Sequence, residues 1–210
     1  MPGCLMGLAR LNRPAVFVYG GTILPGCFGD KDVDVVSVFE AVGAHAAGKI
    51  DDSELGEIER KACPGAGACG GQFTANTMAM VLTFLGLSPL GENDIPATHP
   101  DKAKAAERCG ELVMKLLRDD GPTPRQLLSL SALRNAARAV SATAGSTNAA
   151  LHLLAIAHEA GIAFIFDPGQ GMPMFTAEEL RHFVSLADYV TMNDYEAQLM
   201  QEKTGETIEA

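Results

Sequence analysis

Cys69 is the residue with the most chemistry to offer. It closes a glycine-rich run that begins at Cys63 and includes Gly65 and Gly67, and Gly70 and Gly71 follow it directly. Glycines at these positions let the backbone take conformations closed to other residues and let a bulky group approach. A helix is predicted from Thr74 to Leu85, so loop amides and a helix N-terminus both direct partial positive charge at the sulfur and favour its thiolate. A thiolate is the form that binds a metal or an iron–sulfur cluster. The spacing to Cys63, with five residues between, matches no zinc or ferredoxin pattern. A small thiol also packs well in a core, so the residues alone leave both roles open.

Two other groups carry polar side chains at helix openings. Ser146, Thr147 and Asn148 begin the apolar run to His158, where they either offer donors to an anionic substrate or cap the helix, the reading that composition favours. Asn193 stands three residues before Glu196, a spacing that suits any capped helix start. His152 and His158 have no carboxylate or histidine at four-residue spacing, so packing or solvent exposure is expected of them rather than metal binding.

These groups need elements to hold them. A strand is expected at Ala15 to Tyr19 before Gly20 and Gly21, after a helix ending near Leu11. Helices are expected at Val35 to Gly48 and Ser53 to Cys63, the latter capped by Asp52 or Ser53. Leu87 to Pro100 reads as loop, and Asp101 to Leu117 and Pro124 to Val140 as amphipathic helices. After Gly161 the pattern changes to a strand at Ile162 to Phe166, a helix at Ala177 to Leu186, a strand at Asp188 to Met192 and a helix opening at Asn193. The fold class is α/β, with many helices and a partial parallel sheet followed by a short β-α-β-α unit.

Composition excludes several classes. Of 210 residues, 47% are hydrophobic and 20% charged, ordinary values for a globular chain with a sizeable core. The net charge of −10, with no cluster of Lys and Arg, excludes nucleic acid and an anionic membrane surface as partners. No apolar run reaches membrane-spanning length, and the first residues do not start a signal peptide. The five cysteines are odd in number and scattered, as expected in a reducing cytoplasm.

Residues 1–161 resemble the dihydroxy-acid and sugar-acid dehydratase family. Four segments carry the resemblance in order: Met1 to Gly21, Val38 to Gly43 onward, Cys63 to Met78, and Gly145 to Leu154. It implies that Cys69 ligates an iron–sulfur cluster, that Cys63 does not, and that Mg2+ helps hold the substrate. The implied reaction converts a 2,3-dihydroxy acid to a 2-keto acid plus water in branched-chain amino-acid biosynthesis. An iron acts there as Lewis acid on the departing C3 hydroxyl while a base takes the C2 proton. By the same resemblance Met1 falls just downstream of the family's Cys-Asp-Lys segment, and the family's other metal ligands and serine base match no residue here. Only one of three cluster cysteines is then expected in this chain, and the chain alone is expected to be inactive. The resemblance also suggests a homo-oligomer.

The tail, residues 162–210, resembles the ribokinase-like carbohydrate and nucleoside kinases. Phe164 to Pro173 looks like that family's central strand and loop, and Asn193 to Glu196 like its Asn-x-x-Glu motif. The resemblance implies that Asn193 and Glu196 help organise magnesium and phosphate. The kinase glycine-rich anion hole and catalytic aspartate match no residue here. The expectation is therefore a dehydratase fragment (1–161) joined to a kinase fragment (162–210). A kinase function and a non-catalytic chimeric or truncated product are the alternatives.

Overall fold

The computed structural model describes residues 1–163 and 165–207, and the side chain of Gln170 is also outside the described set. In chain order the elements are α1 (Pro2–Leu11), β1 (Gly26–Phe28), β2 (Lys31–Val33), α2 (Val35–Ala46), α3 (Asp52–Lys61), α4 (Thr74–Phe84), α5 (Asp101–Arg118), α6 (Pro124–Leu127), α7 (Leu130–Ala142) and α8 (Asn148–Glu159). There follow β3 (Ile165–Phe166), a 3-10 helix (Gly169–Met174), α9 (Ala177–Leu186), β4 (Tyr189–Val190) and α10 (Asp194–Thr204). The class is α/β with the balance far toward helix. The chain divides into two compact units, Met1–Ile156 and Ala157–Ala210.

In the first unit α4 is the central helix. Thr77, Met78, Ala79, Val81 and Leu82 are all buried, so apolar side chains cover most of its circumference. It packs on α7, whose Leu133, Ala136 and Ala139 are buried at helical spacing. Helix starts follow local chemistry. Asp34 caps α2, accepting from the amides of Val36 and Ser37 at 2.9 and 3.0 Å. Asp51, rather than Asp52 or Ser53, caps α3 by accepting from the Glu54 amide at 2.9 Å. The side chain of the residue just outside the helix is the one that reaches the free amides.

Three further expectations are corrected. No strand forms at Ala15 to Tyr19. That segment is fastened by single bonds, Phe17 N–H to Leu87 O at 2.7 Å and Ser88 hydroxyl to Phe17 O at 2.6 Å, so it has anchors but no ladder. The helix expected at Pro124 to Val140 is two helices. Ser129 accepts from the Ala132 amide at 3.2 Å and starts α7 anew. The strand at Ile162 to Phe166 is reduced to Ile165–Phe166, and Phe164 lies outside the described residues. Sheet structure in the first unit is the antiparallel pair β1–β2 and one parallel bridge, Thr22 with Ala68.

In the second unit β3 and β4 pair in parallel across α9. Phe183 stacks on Phe166 at 5.3 Å and meets Phe175 edge-on at 5.6 Å. Lys203 ties α10 to the 3-10 segment by donating to the carbonyls of Pro173 and Phe175.

Candidate functional site

The Cys69 loop is held from outside itself. Ala68 N–H donates to Gly21 O and Ile23 N–H to Ala68 O, both at 3.1 Å, and Ala97 N–H donates to Thr22 O at 3.0 Å. Three segments distant in sequence are thus laced together. Glycine is required at position 67, where φ is +141° and a Cβ would stand 2.5 Å from the Ile23 nitrogen. Cys69 itself has φ +60°. Its carbonyl accepts from Gly71 N–H at 2.7 Å, from the Thr22 hydroxyl at 3.0 Å and from Asn76 Nδ2 at 2.7 Å. Cys69 is partly buried, and its sulfur donates weakly to Gly71 O at 3.3 Å.

Asn76 is the hub of this arrangement. The two Nδ2 hydrogens are shared among Cys69 O, Gly71 O at 2.7 Å and Thr22 Oγ1 at 3.0 Å, while its Oδ1 accepts from the Tyr19 hydroxyl at 2.9 Å. Burial raises the Tyr19 phenol above its ordinary value of 10, and the charge of the Cys69 sulfur adds to the rise. The Tyr19 amide donates to Asn93 Oδ1 at 3.1 Å, and the buried Asn93 amide donates to Ala79 O at 2.9 Å. Tyr19, Thr22, Asn76 and Asn93 did not stand out in the sequence. The one available signal was an asparagine inside the mostly apolar run of α4, where a polar side chain needs a partner.

The opening of α8 is brought to the opening of α4. Ser146 Oγ accepts from the Asn148 amide at 3.3 Å and bonds Thr74 Oγ1 at 2.9 Å. Asn148 Nδ2 donates to Thr74 Oγ1 at 2.9 Å, and Ser146 N–H donates to Thr77 Oγ1 at 3.0 Å. Ser146 Oγ therefore satisfies the first amide of α8 from two residues upstream, while the group also pins two helix starts together. A cavity of about 460 Å3 is lined there by Gly71, Gln72, Thr74, Ser146 and Thr147. A second, of about 480 Å3, is lined by Thr22, Gln72, Asn76, Asn93 and Asp94. Gln72 borders both.

The other candidate residues stand apart from this region in the chemistry they perform. Asn193 and Glu196 form a reciprocal capping box, Asn193 N–H to Glu196 Oε2 at 3.0 Å and Glu196 N–H to Asn193 Oδ1 at 2.9 Å. Among the described residues no three His, Cys, Asp or Glu side chains converge as a metal-binding group, His152 and His158 included. No helix among them is long and apolar enough to cross a membrane.

The family model described as "Dihydroxy-acid/6-phosphogluconate dehydratase N-terminal" matches residues 1–173. The chain belongs to that family. It is 55% identical over 159 residues to a dihydroxy-acid dehydratase of Koribacter versatilis, an alignment covering 76% of this chain and 28% of that protein. A dihydroxy-acid dehydratase of Parvibaculum lavamentivorans is 56% identical over 164 residues, 78% of this chain and 28% of that one. One from Methylococcus capsulatus is 51% identical over 194 residues, 90% of this chain and 34% of that protein. The chain thus spans about a third of the length of the curated relatives it matches. The kinase resemblance expected of the tail finds no support in these matches. The dehydratase family model continues to residue 173, beyond the expected junction at 161.

Tested against an iron–sulfur cluster, the described residues fit one corner of such a group. Cys69 offers a partly buried thiol on a glycine-rich loop, while no group of three or more His, Cys, Asp or Glu side chains converges among the described residues. Among the described residues no group of three or more carboxylates is assembled for Mg2+ either.

Proposed function

We propose that this chain carries the cluster-binding loop of a dihydroxy-acid dehydratase, which converts a 2,3-dihydroxy acid to a 2-keto acid and water in branched-chain amino-acid biosynthesis. One observation carries the reading: a partly buried cysteine, its carbonyl held by Thr22 and Asn76, lies within a chain 51–56% identical to proteins of that name. Cys69 would hold one iron of the cluster. When bound, such a cluster supplies Lewis-acid assistance to the departing C3 hydroxyl.

The remaining roles belong to the chain's own groups. Phe73 starts α4 without a side-chain cap, which leaves the opening amides of that helix for an anion. Ser146, Thr147 and Asn148, with Thr74, then orient the substrate carboxylate at the joined helix starts. No base for the C2 proton is assigned, and Mg2+ has no assigned ligand. The chain on its own is not expected to form a 2-keto acid. The five free cysteines suit the reducing cytoplasm proposed for it.

Anaerobic reconstitution with iron and sulfide tests the reading. The expected result is a visible absorbance band that Cys69→Ser abolishes and Cys63→Ser retains. Identical spectra for the parent chain and Cys69→Ser reject Cys69 as a ligand.

A second reading rests on the parallel β3–β4 pair with α9 between them and α10 behind. In it residues 162–210 form a ribokinase-like unit using Asn193 and Glu196. Magnesium-dependent ATP turnover lost in Glu196→Gln would support it. None is expected, because each side chain accepts from the other residue's backbone amide as a helix cap.

A further inference from the structure

We propose that Asn76, acting with Thr22, is the positioning residue that fixes where the Cys69 sulfur points. Its functional meaning rests on the reading of Cys69 as an iron ligand, although the geometry stands without that reading. Cys69 lies at φ +60°, a left-handed conformation that a residue with a Cβ avoids. Such a conformation persists where the surroundings over-determine it. Here they do so through one atom, the Cys69 carbonyl oxygen, which takes three hydrogen bonds. Fixing that carbonyl fixes the peptide plane, and with it the direction of the Cα–Cβ bond.

Asparagine suits this place for a chemical reason. Its planar amide presents two N–H groups on one side and an acceptor on the other. The N–H side spans the carbonyls of Cys69 and Gly71, each at 2.7 Å, and so grips the turn on both sides of Gly70. The acceptor is committed to the Tyr19 hydroxyl at 2.9 Å, which sets the amide the right way round. The Gly71 oxygen is also the one the Cys69 sulfur contacts at 3.3 Å. Asn76 therefore keeps that carbonyl partnered when the sulfur turns toward a metal. Thr22 completes the grip, accepting from Asn76 and donating to Cys69 O.

The test is site-resolved alkylation of the whole 210-residue chain by iodoacetamide, read by peptide mass spectrometry at Cys69 and Cys63. Asn76→Asp keeps the shape but loses both donors, and Thr22→Val removes only the hydroxyl. Each is expected to speed alkylation of Cys69 about fivefold, the size of one ordering hydrogen bond lost. Cys63 should keep its parent rate and circular dichroism should be retained. Thr22→Ser, which restores the hydroxyl, should return Cys69 to the parent rate, a rescue that bulk packing would not produce. An unchanged Cys69 rate in folded Asn76→Asp and Thr22→Val overturns the proposal, and so does an equal rise at both cysteines. If Asn76→Asp does not fold, Thr22→Val decides. Failure of the iron reading is separate: it appears as a reconstituted spectrum indifferent to Cys69→Ser, whatever the alkylation rates.

Discussion

The Cys69 loop and the Asn193–Glu196 turn each hold residue types that suggest ligand binding, and they are built in opposite ways. At Cys69 the bonds come from Thr22, across 47 residues, and from Asn76 at the far side of the turn. At Asn193 both bonds return within three residues to the same helix start. A turn that closes on itself commits an oxygen of each side chain to its own helix start. A loop held from outside keeps its central side chain free. External scaffolding is thus the mark that separates a presented sulfur from a cap.

Gly67→Ala attacks that scaffolding with the largest expected effect. The new Cβ would stand 2.5 Å from Ile23 N at a backbone φ of +141°, so the bridge between Thr22 and Ala68 must open. Overpacking and backbone strain each contribute about 1–3 kcal/mol, and a loss of roughly 3 kcal/mol is expected in thermal or urea unfolding. Gly65→Ala is the matched control. Its Cβ meets nothing nearer than Thr98 Cγ2 at 3.9 Å, so stability should stay within about 0.5 kcal/mol of the parent. Equal stability of the two variants would show that the loop is not over-determined by its neighbours.

Helix positions were legible in the sequence because periodicity and caps are local. Thr176 with Glu179 and Asn193 with Glu196 each signal a helix start within four residues, and α5 and α9 begin where expected. The glycine-rich loop around Cys69 was legible too, from its composition. What holds Cys69 was not. Thr22, Asn76 and Tyr19 act across gaps of 47 and 57 residues, and no local pattern links them. The expected strand at Ala15 to Tyr19 failed for the same reason. Its apolar residues suit a ladder, but the neighbouring chain supplies single anchors at Leu87, Ser88 and Asn93 instead. The junction of α4 and α8 was half legible. A polar group at the opening of α8 is readable from its residue types, while the bond of Ser146 to Thr74, 72 residues away, is not.

Asn193→Ala sharpens the other side of the comparison. It removes the acceptor for the Glu196 amide, and loss of such a cap costs about 1 kcal/mol. Unfolding of the full chain should register that loss, while alkylation of Cys69 stays at the parent rate. A matching loss in Thr176→Ala, whose hydroxyl serves Glu179 in the same way, would mark both as ordinary caps. A cap variant that also changed Cys69 reactivity would break the distinction between self-closed and externally held turns.

The smallest effect concerns two carboxylates that illustrate the same contrast through charge. Glu179 is held below its ordinary value first by the Thr176 backbone amide, then by the Thr176 hydroxyl. Glu92 is lowered first by hydrogen bonding to Arg108, a paired contact at 2.6 and 2.7 Å across 16 residues. Glu92 adjoins Asn93, the anchor of Tyr19, so this pair braces the scaffold of the Cys69 loop. A carboxylate lowered in the folded state stabilises above its unfolded value, here 4.5, and that contribution fades as pH falls through the depressed folded value. Arg108→Met should therefore lower the thermal midpoint at about pH 7, and the gap to the parent should close toward about pH 3. Arg108 is half-exposed, so the gap should be small and should shrink further in high salt. A gap that is the same at both pH values, or indifferent to salt, would assign the loss to packing of the arginine stem rather than to its pairing with Glu92.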